Sequence, residues 1–146
     1  MSALSCAIAS RIVADALAAG RARGFARLTA AVLDAGGHLV ALARDDGSSL
    51  LRPQIAVGKA WGVLGMGCGG RELARRAAAV PGFIAALIEM SDGKVVPVPG
   101  GVLIRAGSGE IVGAIGVTGD TSDNDEICAV AAIAAAGLVA DTGAPA

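Results

Sequence analysis

The one histidine and a lysine within an apolar segment are the first candidates for chemistry. His38 carries the only imidazole of the chain, which could ligate a metal ion or act as a general base. An exposed hairpin residue is the competing interpretation. Lys59 lies among apolar residues of a helical pattern, where it could hold the carboxylate of a ligand or extend its ammonium to water. Both residues are therefore candidates for a binding site.

Charged pairs and a stiff corner supply further candidates. Asp125 and Glu126 could move a proton, although acids at the start of a helix also stabilise the positive end of its dipole. Arg44 ends a predicted strand and Asp45 follows it, and a plain turn also accounts for the aspartate. Two prolines precede two glycines in Pro97-Val98-Pro99-Gly100-Gly101, and such a corner exposes backbone amides that can line an anion site.

Composition and motifs exclude several other functions. The chain has 146 residues, a formal net charge of −1, one Trp, two Phe and no Tyr, so it lacks the basic surface and stacking aromatics of a nucleic-acid-binding protein. Phosphate-binding, dinucleotide-binding and hydrolase motifs are absent from the sequence. One histidine and three scattered cysteines argue against a zinc site. Glycine contributes 22 residues without a triplet period, which excludes collagen.

Location is predicted from the cysteines and from the apolar runs. Cys6, Cys68 and Cys128 form no paired motif, and their odd number favours reduced thiols in a cytoplasmic protein. The longest uncharged apolar run, 127–140, has 14 residues, whereas a membrane span needs roughly 20. No basic segment precedes the apolar N-terminus, which argues against a signal peptide. We therefore expect a cytoplasmic protein without a membrane partner.

The first half of the chain predicts a helix, a hairpin and a second helix. Apolar residues recur every three to four positions over 4–20, which predicts an amphipathic helix. Residues 28–34 and 38–44 predict two strands joined by a glycine turn. The pattern over 50–66 predicts another helix, with Pro53 in its first turn.

The second half predicts a short helix, three strands and a last helix. Residues 71–79 form a basic helical segment, and 95–101 is assigned to an edge strand because Pro97 and Pro99 lack ladder donors. Residues 102–105 and 110–118 predict a hairpin. A last helix follows residue 121, with Ser122 and Asp125 fitting a capping box. The predicted order is α-β-β-α-α-β-β-β-α, in one domain spanning residues 1–146, of the α/β (α+β) class with a mostly antiparallel sheet.

Four sequence blocks together resemble a known family. They are AVLDAGGHLVALARDDGS, QIAVGKAW, KVVPVPGGVLIRAGSGEIVGAIGVTG and SDNDEICAVAAI. The chain resembles the GlcG-like family of small haem-binding ("haem-degrading") domains, which is related to the C-terminal domain of PduO-type corrinoid adenosyltransferases. The resemblance implies a profilin-like fold, with a five-stranded antiparallel sheet flanked by helices, and homo-oligomers of dimeric or higher order.

The resemblance also implies site residues and a cofactor. Carried over by position, the site residues are His38, Arg44, Asp45, Lys59, the Pro99-Gly100-Gly101 corner, and Asp125 with Glu126. The first functional hypothesis is a haem-binding protein for storage, sensing or transfer. His38 is its iron ligand, with Met66, Met90 or a cysteine thiolate as substitutes. The haem propionates would pair with Arg44 or Lys59, or with Arg71, Arg75 and Arg76.

The alternative hypothesis is an enzyme without a cofactor. It would act on a small organic acid as an isomerase, lyase or hydrolase, in a pocket formed at a subunit interface. Lys59 or Arg44 would hold the carboxylate, and amides near Gly100 and Gly101 would stabilise an oxyanion. Lys59, Asp125 and Glu126 are the predicted catalytic residues, with His38 as a further proton carrier. The sequence leaves the choice between the two hypotheses open.

Overall fold

The computed structural model describes residues 4–145. Within this range the chain forms five helices and five strands: α1 (Cys6–Ala22), β1 (Thr29–Asp34), β2 (Leu39–Arg44), α2 (Arg52–Met66), α3 (Gly70–Ala79), α4 (Pro81–Met90), β3 (Gly101–Arg105), β4 (Ile111–Thr118), α5 (Ser122–Ala135) and β5 (Val139–Asp141). One domain over residues 1–146 stays a prediction, and its ends at 1–3 and 146 lie outside the described residues.

The five strands form one antiparallel sheet in the order β2-β1-β4-β3-β5. Each neighbouring pair is antiparallel, and β1–β2 and β3–β4 are the two hairpins that the glycine turns predicted. Helices cover both faces of the sheet. The predicted fold class, an α/β fold with a five-stranded antiparallel sheet flanked by helices, is therefore confirmed.

The predicted order of elements is wrong in one strand and incomplete in one helix. The segment 95–101, assigned to an edge strand, has no strand before Gly101. The segment runs alongside helix α2 instead, and the Val96 amide donates to the Gly58 carbonyl of this helix at 3.2 Å. Pro97 and Pro99 cannot donate to a ladder, which explains why the sheet excludes this segment.

The fifth strand lies after the last helix, where the sequence predicted none. Strand β5 has only three residues and pairs with β3, so it is too short to show a period of two. Residues 82–88, for which the sequence indicated another turn of helix, belong to helix α4, which has ten residues. Among residues 4–145, no helix is both long and apolar enough to cross a membrane.

Alternate residues of the strands build two cores, one on each face of the sheet. Ala30, Val32, Ile115 and Val117 face α1 and α5, whereas Leu33, Leu103 and Ala114 pack against α2 and α3. Branched aliphatic residues fill most of the first core, which compensates for the low aromatic content. Helix α2 therefore lies directly on the central strands, and the candidate site residues on it face the sheet.

Candidate functional site

A buried ion pair joins helix α2 to helix α5. Lys59 Nζ donates to Asp125 Oδ2 at 3.1 Å and to the Val117 carbonyl at 2.9 Å. The two side chains are only 3% and 2% exposed. Asp125 Oδ1 accepts a bond from the Asp120 amide at 2.9 Å. The pair therefore satisfies both of its charges with protein groups and closes the space between α2, β4 and α5.

The proline-glycine corner covers this ion pair. Gly100 has φ +106°, and a Cβ there would lie 2.8 Å from Lys59 Nζ and 2.6 Å from the Val117 carbonyl oxygen. Only glycine permits this approach, because a side chain would displace the ammonium. The Gly100 carbonyl accepts from the Val117 amide at 2.9 Å. The structure thus brings together three of the predicted site positions, namely Lys59, Asp125 and Gly100.

Burial shifts the pKa of both partners toward their neutral forms. It lowers the pKa of Lys59, chiefly because the ammonium loses its hydration, while the charge of Asp125 opposes the shift. Burial likewise raises the pKa of Asp125, and the Lys59 ammonium opposes that shift. The ion pair is therefore costly to break from one side, because the remaining group would stay buried without a partner.

The capping prediction for the last helix is off by one residue. Thr121 caps α5, and its hydroxyl accepts from the Asn124 amide at 3.2 Å. Asp125 consequently lies one position beyond a capping box and turns inward to Lys59. Asp120 fixes the preceding loop, because its carboxylate accepts from the amides of Ala26 and Thr121, each at 2.7 Å. These bonds hold the pKa of Asp120 below its usual value.

Glu126 lies outside the buried ion pair. Arg71 grips its carboxylate with two bonds, from Nε at 3.1 Å and from Nη2 at 2.9 Å, and also reaches Asp123. Hydrogen bonds to both acids raise the pKa of the Arg71 guanidinium further. This arrangement ties the start of α3 to α5, and a catalytic role for Glu126 stays a prediction.

The predicted ligand-binding residues Arg44 and Asp45 lie at the C-terminal end of β2, with Arg44 as its last residue. Arg44 Nη2 donates to the Ser48 carbonyl, and Arg44 is exposed. Asp45 accepts from Arg21 Nη1 at 2.6 Å and from the Leu28 amide at 2.9 Å. Asp45 thus fastens α1 to the start of β1, whereas the guanidinium of Arg44 remains open to a ligand.

His38 lies in the β1–β2 turn, apart from the Lys59–Asp125 pair. Its side chain is 80% exposed, and Nδ1 lies 3.0 Å from Asp34 Oδ1. The backbone amide of His38 also donates to Asp34 Oδ1 at 2.9 Å. These bonds lower the pKa of Asp34, with the backbone bond as the largest cause. The carboxylate therefore holds one ring nitrogen, and Nε2 is the nitrogen left for a ligand.

An apolar cleft borders this turn and contains Trp61, which belongs to the predicted helix 50–66 and was not among the predicted site residues. The Trp61 cleft has a volume of about 550 Å³, and its wall is formed by α2, β2 and the loop after α4. Its lining residues are Gly37, Leu39, Leu42, Pro53, Gln54, Val57, Gly58, Trp61, Asp92, Gly93 and Lys94. Lys94 Nζ lies 5.9 Å from the centre of the indole ring. Trp61 is the only tryptophan of the chain, and this was the one sequence signal that could have identified it as a site residue.

The substitute iron ligands occupy a different place. Met66 and Met90 line a smaller cavity of about 150 Å³ that Trp61 also borders. Cys128 is buried, Cys68 is half-buried and Cys6 is exposed. Within residues 4–145, no three His, Cys, Asp or Glu side chains cluster as a metal site.

Comparison with known proteins places this fold among haem-related domains. The family model for haem-degrading proteins like HbpS matches residues 4–134. The PduOC–haem complex is 25% identical, with a TM-score of 0.82 over 92% of this chain and 96% of that one. HbpS is 27% identical, with a TM-score of 0.78 over 90% of this chain and 89% of that one. ORFY from Klebsiella pneumoniae, 22% identical with a TM-score of 0.80 over 92% of this chain and 90% of that one, shares the fold. No curated protein matches the chain.

Proposed function

Because this chain belongs to the family of haem-degrading proteins like HbpS, we propose that it binds haem or a related tetrapyrrole in the Trp61 cleft. The observation that carries this proposal is the cleft itself, an open apolar space of about 550 Å³ bordered by a cation and by the turn that holds the only histidine. A structural neighbour in complex with haem supports the same ligand class.

The walls of the cleft fit a macrocycle with acidic side groups. Leu39, Leu42, Val57 and Trp61 supply aliphatic and aromatic surface, which suits the apolar body of a tetrapyrrole. Lys94 supplies a positive charge at one side, and a charge there can pair with a propionate. A volume of about 550 Å³ lies within the roughly 300–1,000 Å³ usual for ligand pockets.

His38 is the proposed iron ligand. It stands between Gly37 and Leu39, which both line the cleft. Histidines that ligate metals usually donate a hydrogen bond from their second ring nitrogen to a carboxylate, which fixes the tautomer. The bond between Nδ1 and Asp34 supplies this arrangement. When bound, haem would supply redox or gas-binding chemistry at its iron, whereas His38 and Asp34 would orient the ring and tune its basicity.

The exposure of the site favours a ligand that exchanges. His38 is largely open to solvent, so a haem bound there could pass to another protein, consistent with storage, sensing or transfer. Self-association, which would cover such a surface, and a cytoplasmic location stay predictions.

A haemin titration tests this function. We expect wild-type protein to produce a Soret band, His38→Ala to weaken and shift it, and Asp34→Asn to lower haem affinity by about tenfold or more, because loss of a supporting carboxylate weakens a metal ligand. Absorbance spectroscopy across the titration measures both effects.

Glu110→Ala provides the control, because Glu110 is an exposed turn residue at the β3–β4 hairpin. It should leave the spectrum unchanged. A wild-type protein without a Soret band would refute haem binding, and an unchanged spectrum in His38→Ala would remove His38 as the ligand.

The convergence of Lys59, Asp125 and Gly100 supports a second function, the cofactor-independent enzyme acting on a small organic acid. Lys59 and Asp125 could exchange a proton across 3.1 Å. Their burial counts against a substrate reaching them in this structure. Whether a small molecule can reach Lys59 in the folded protein therefore distinguishes a catalytic ion pair from a purely structural one.

Lysine acetylation measures that access directly. Lys59 and Lys94 are the only lysines, and Lys59 is 3% exposed whereas Lys94 is exposed. We expect a small acetylating reagent to modify Lys94 quickly and Lys59 only after unfolding, as followed by mass spectrometry of the peptides. Equal rates in the native protein would show that the ion pair opens to small molecules, and would favour the enzyme.

A further inference from the structure

A row of polar side chains crosses the sheet at the end that faces the start of α2. Thr29 pairs with Arg44 on one side and with Thr118 on the other. Residues directly opposite each other in antiparallel strands project from the same face. Arg52, from the first turn of α2, donates through Nη1 to Thr118 Oγ1 at 2.8 Å. Arg44, Thr29 and Thr118 therefore lie on the face that α2 covers.

Two arginines contact this row without a carboxylate partner. Arg44 donates to the Ser48 carbonyl, and Arg52 donates to the hydroxyls of Ser49 and Thr118. Among residues 4–145, the ion pairs include neither arginine. The charge of Arg52 also contributes to lowering the pKa of Lys59, so this end of α2 carries excess positive charge.

A buried hydroxyl without a partner lies in the same row. Thr29 is fully buried, and its Oγ1 is the one buried side-chain polar atom without a hydrogen bond in the described part of the chain. Native proteins rarely leave such an atom unpaired, and an unmet one often marks a missing ligand or water. Thr29 stands between Arg44 and Thr118, so its hydroxyl belongs to the floor beneath the two guanidiniums.

The start of helix α2 favours an anion at the same place. This helix has 15 residues, Leu51 at its N-cap makes no side-chain cap bond, and its first turn has no acidic residue. The amides and dipole at such an end attract negative charge. Pro53 and Leu42 line the Trp61 cleft, and each is close in sequence to one of the two arginines. The positive end therefore adjoins the apolar cleft.

We propose that Arg44 and Arg52, with Thr29 and Thr118 beneath them and the start of α2 behind, form a carboxylate-binding site at one end of the Trp61 cleft. Paired guanidiniums suit a carboxylate because each presents a planar fork of donors. The carboxylate comes either from a propionate of haem, in which case the site rests on the proposed function, or from a separate small organic acid.

Haemin and its dimethyl ester distinguish these sources. If a propionate occupies the site, wild-type protein binds haemin about tenfold more tightly than the ester, since charge-assisted bonds add roughly one factor of ten. The variant Arg44→Met/Arg52→Met then loses most of this preference for haemin, because only Lys94 of the described cleft residues is left to pair with a propionate, and its ester affinity is unchanged. Thr29→Val should lower the preference for haemin while both arginines remain.

A thermal-shift series with sodium propionate and benzoate tests the small-acid source without haem. A rise in Tm for wild-type protein that is lost in the double variant supports the site, even if haemin does not bind and the proposed function fails. Arg11→Met, on the opposite face of the sheet, is the control and should match wild type. If the double variant misfolds, Arg52→Lys is measured in its place, because it keeps the positive charge and removes only the planar fork of donors. Equal haemin and ester affinities in wild type, together with no Tm rise by either acid, would overturn the proposal.

Discussion

We expect the variant Lys59→Met to lose about 3–5 kcal/mol of its free energy of unfolding at pH 7, the range typical when one partner of a buried ion pair is removed. Methionine retains the apolar stem of the side chain. The loss then arises mainly from Asp125, which would remain 2% exposed without the ammonium that stands 3.1 Å away. Urea unfolding followed by circular dichroism measures it.

The deficit of this variant should depend on pH in a defined direction. Burial raises the pKa of Asp125 above the value of about 3.9 in an unfolded chain. Without Lys59, the folded variant keeps its proton while the unfolded chain releases one. The stability of the variant is therefore greatest below about pH 4 and falls as pH rises toward the folded pKa of Asp125. The deficit relative to wild type is accordingly larger at pH 7 than at pH 4.

Two further variants separate the ion pair from a general loss of charge. Lys94→Met removes the other lysine, which is exposed near Trp61, and should cost less than about 1 kcal/mol. Lys59→Met/Asp125→Leu removes both buried charges and should recover much of the stability that Lys59→Met loses. A Lys59→Met variant as stable as Lys94→Met would contradict a structural role for the ion pair.

Local sequence patterns were sufficient to predict the fold class and both hairpins. The glycines between Asp34 and His38 permit a tight turn, and the Asp34 amide bonds back to the His38 carbonyl there. Family resemblance extended this prediction to the whole sheet, and the family match over residues 4–134 confirms the relationship. Strand β5 could not be predicted, because three residues show no period and their pairing with β3 is a long-range contact.

The candidate site was predictable by residue type but not by arrangement. Lys59 and Asp125 are 66 positions apart, and no local pattern reports that α2 and α5 bring them together or that both become buried. Arg52 and Thr29 were missed because an arginine at a helix start and a threonine in a strand are ordinary residues. Only the register, which places Thr29 between Arg44 and Thr118, gives them a shared role.

The second large effect is expected at Gly116, where strand β4 touches helix α2 through backbone alone. A Cβ at this position would overlap the carbonyl oxygen of Ala56 and lie 2.8 Å from its carbonyl carbon and 3.1 Å from the amide nitrogen of Ala60. Backbone atoms inside a helix cannot rotate away as a side chain can. We therefore expect Gly116→Ala to lose about 3 kcal/mol or more, at or above the upper end for overpacked cores. Urea unfolding measures the loss.

Displacement of α2 should also reach the ligand sites, since this helix carries Arg52, Lys59 and Trp61. The fluorescence of Trp61, the single tryptophan, reports such a shift in the folded variant. Gly107→Ala is the matched control, because a Cβ at Gly107 would meet nothing within 4 Å, and its stability should stay within about 0.5 kcal/mol of wild type. If Gly116→Ala matched this control in both stability and fluorescence, α2 would not rest on β4 as closely as described. The packing of α2 on β4, which positions both the ion pair and the carboxylate-binding site, would then be contradicted.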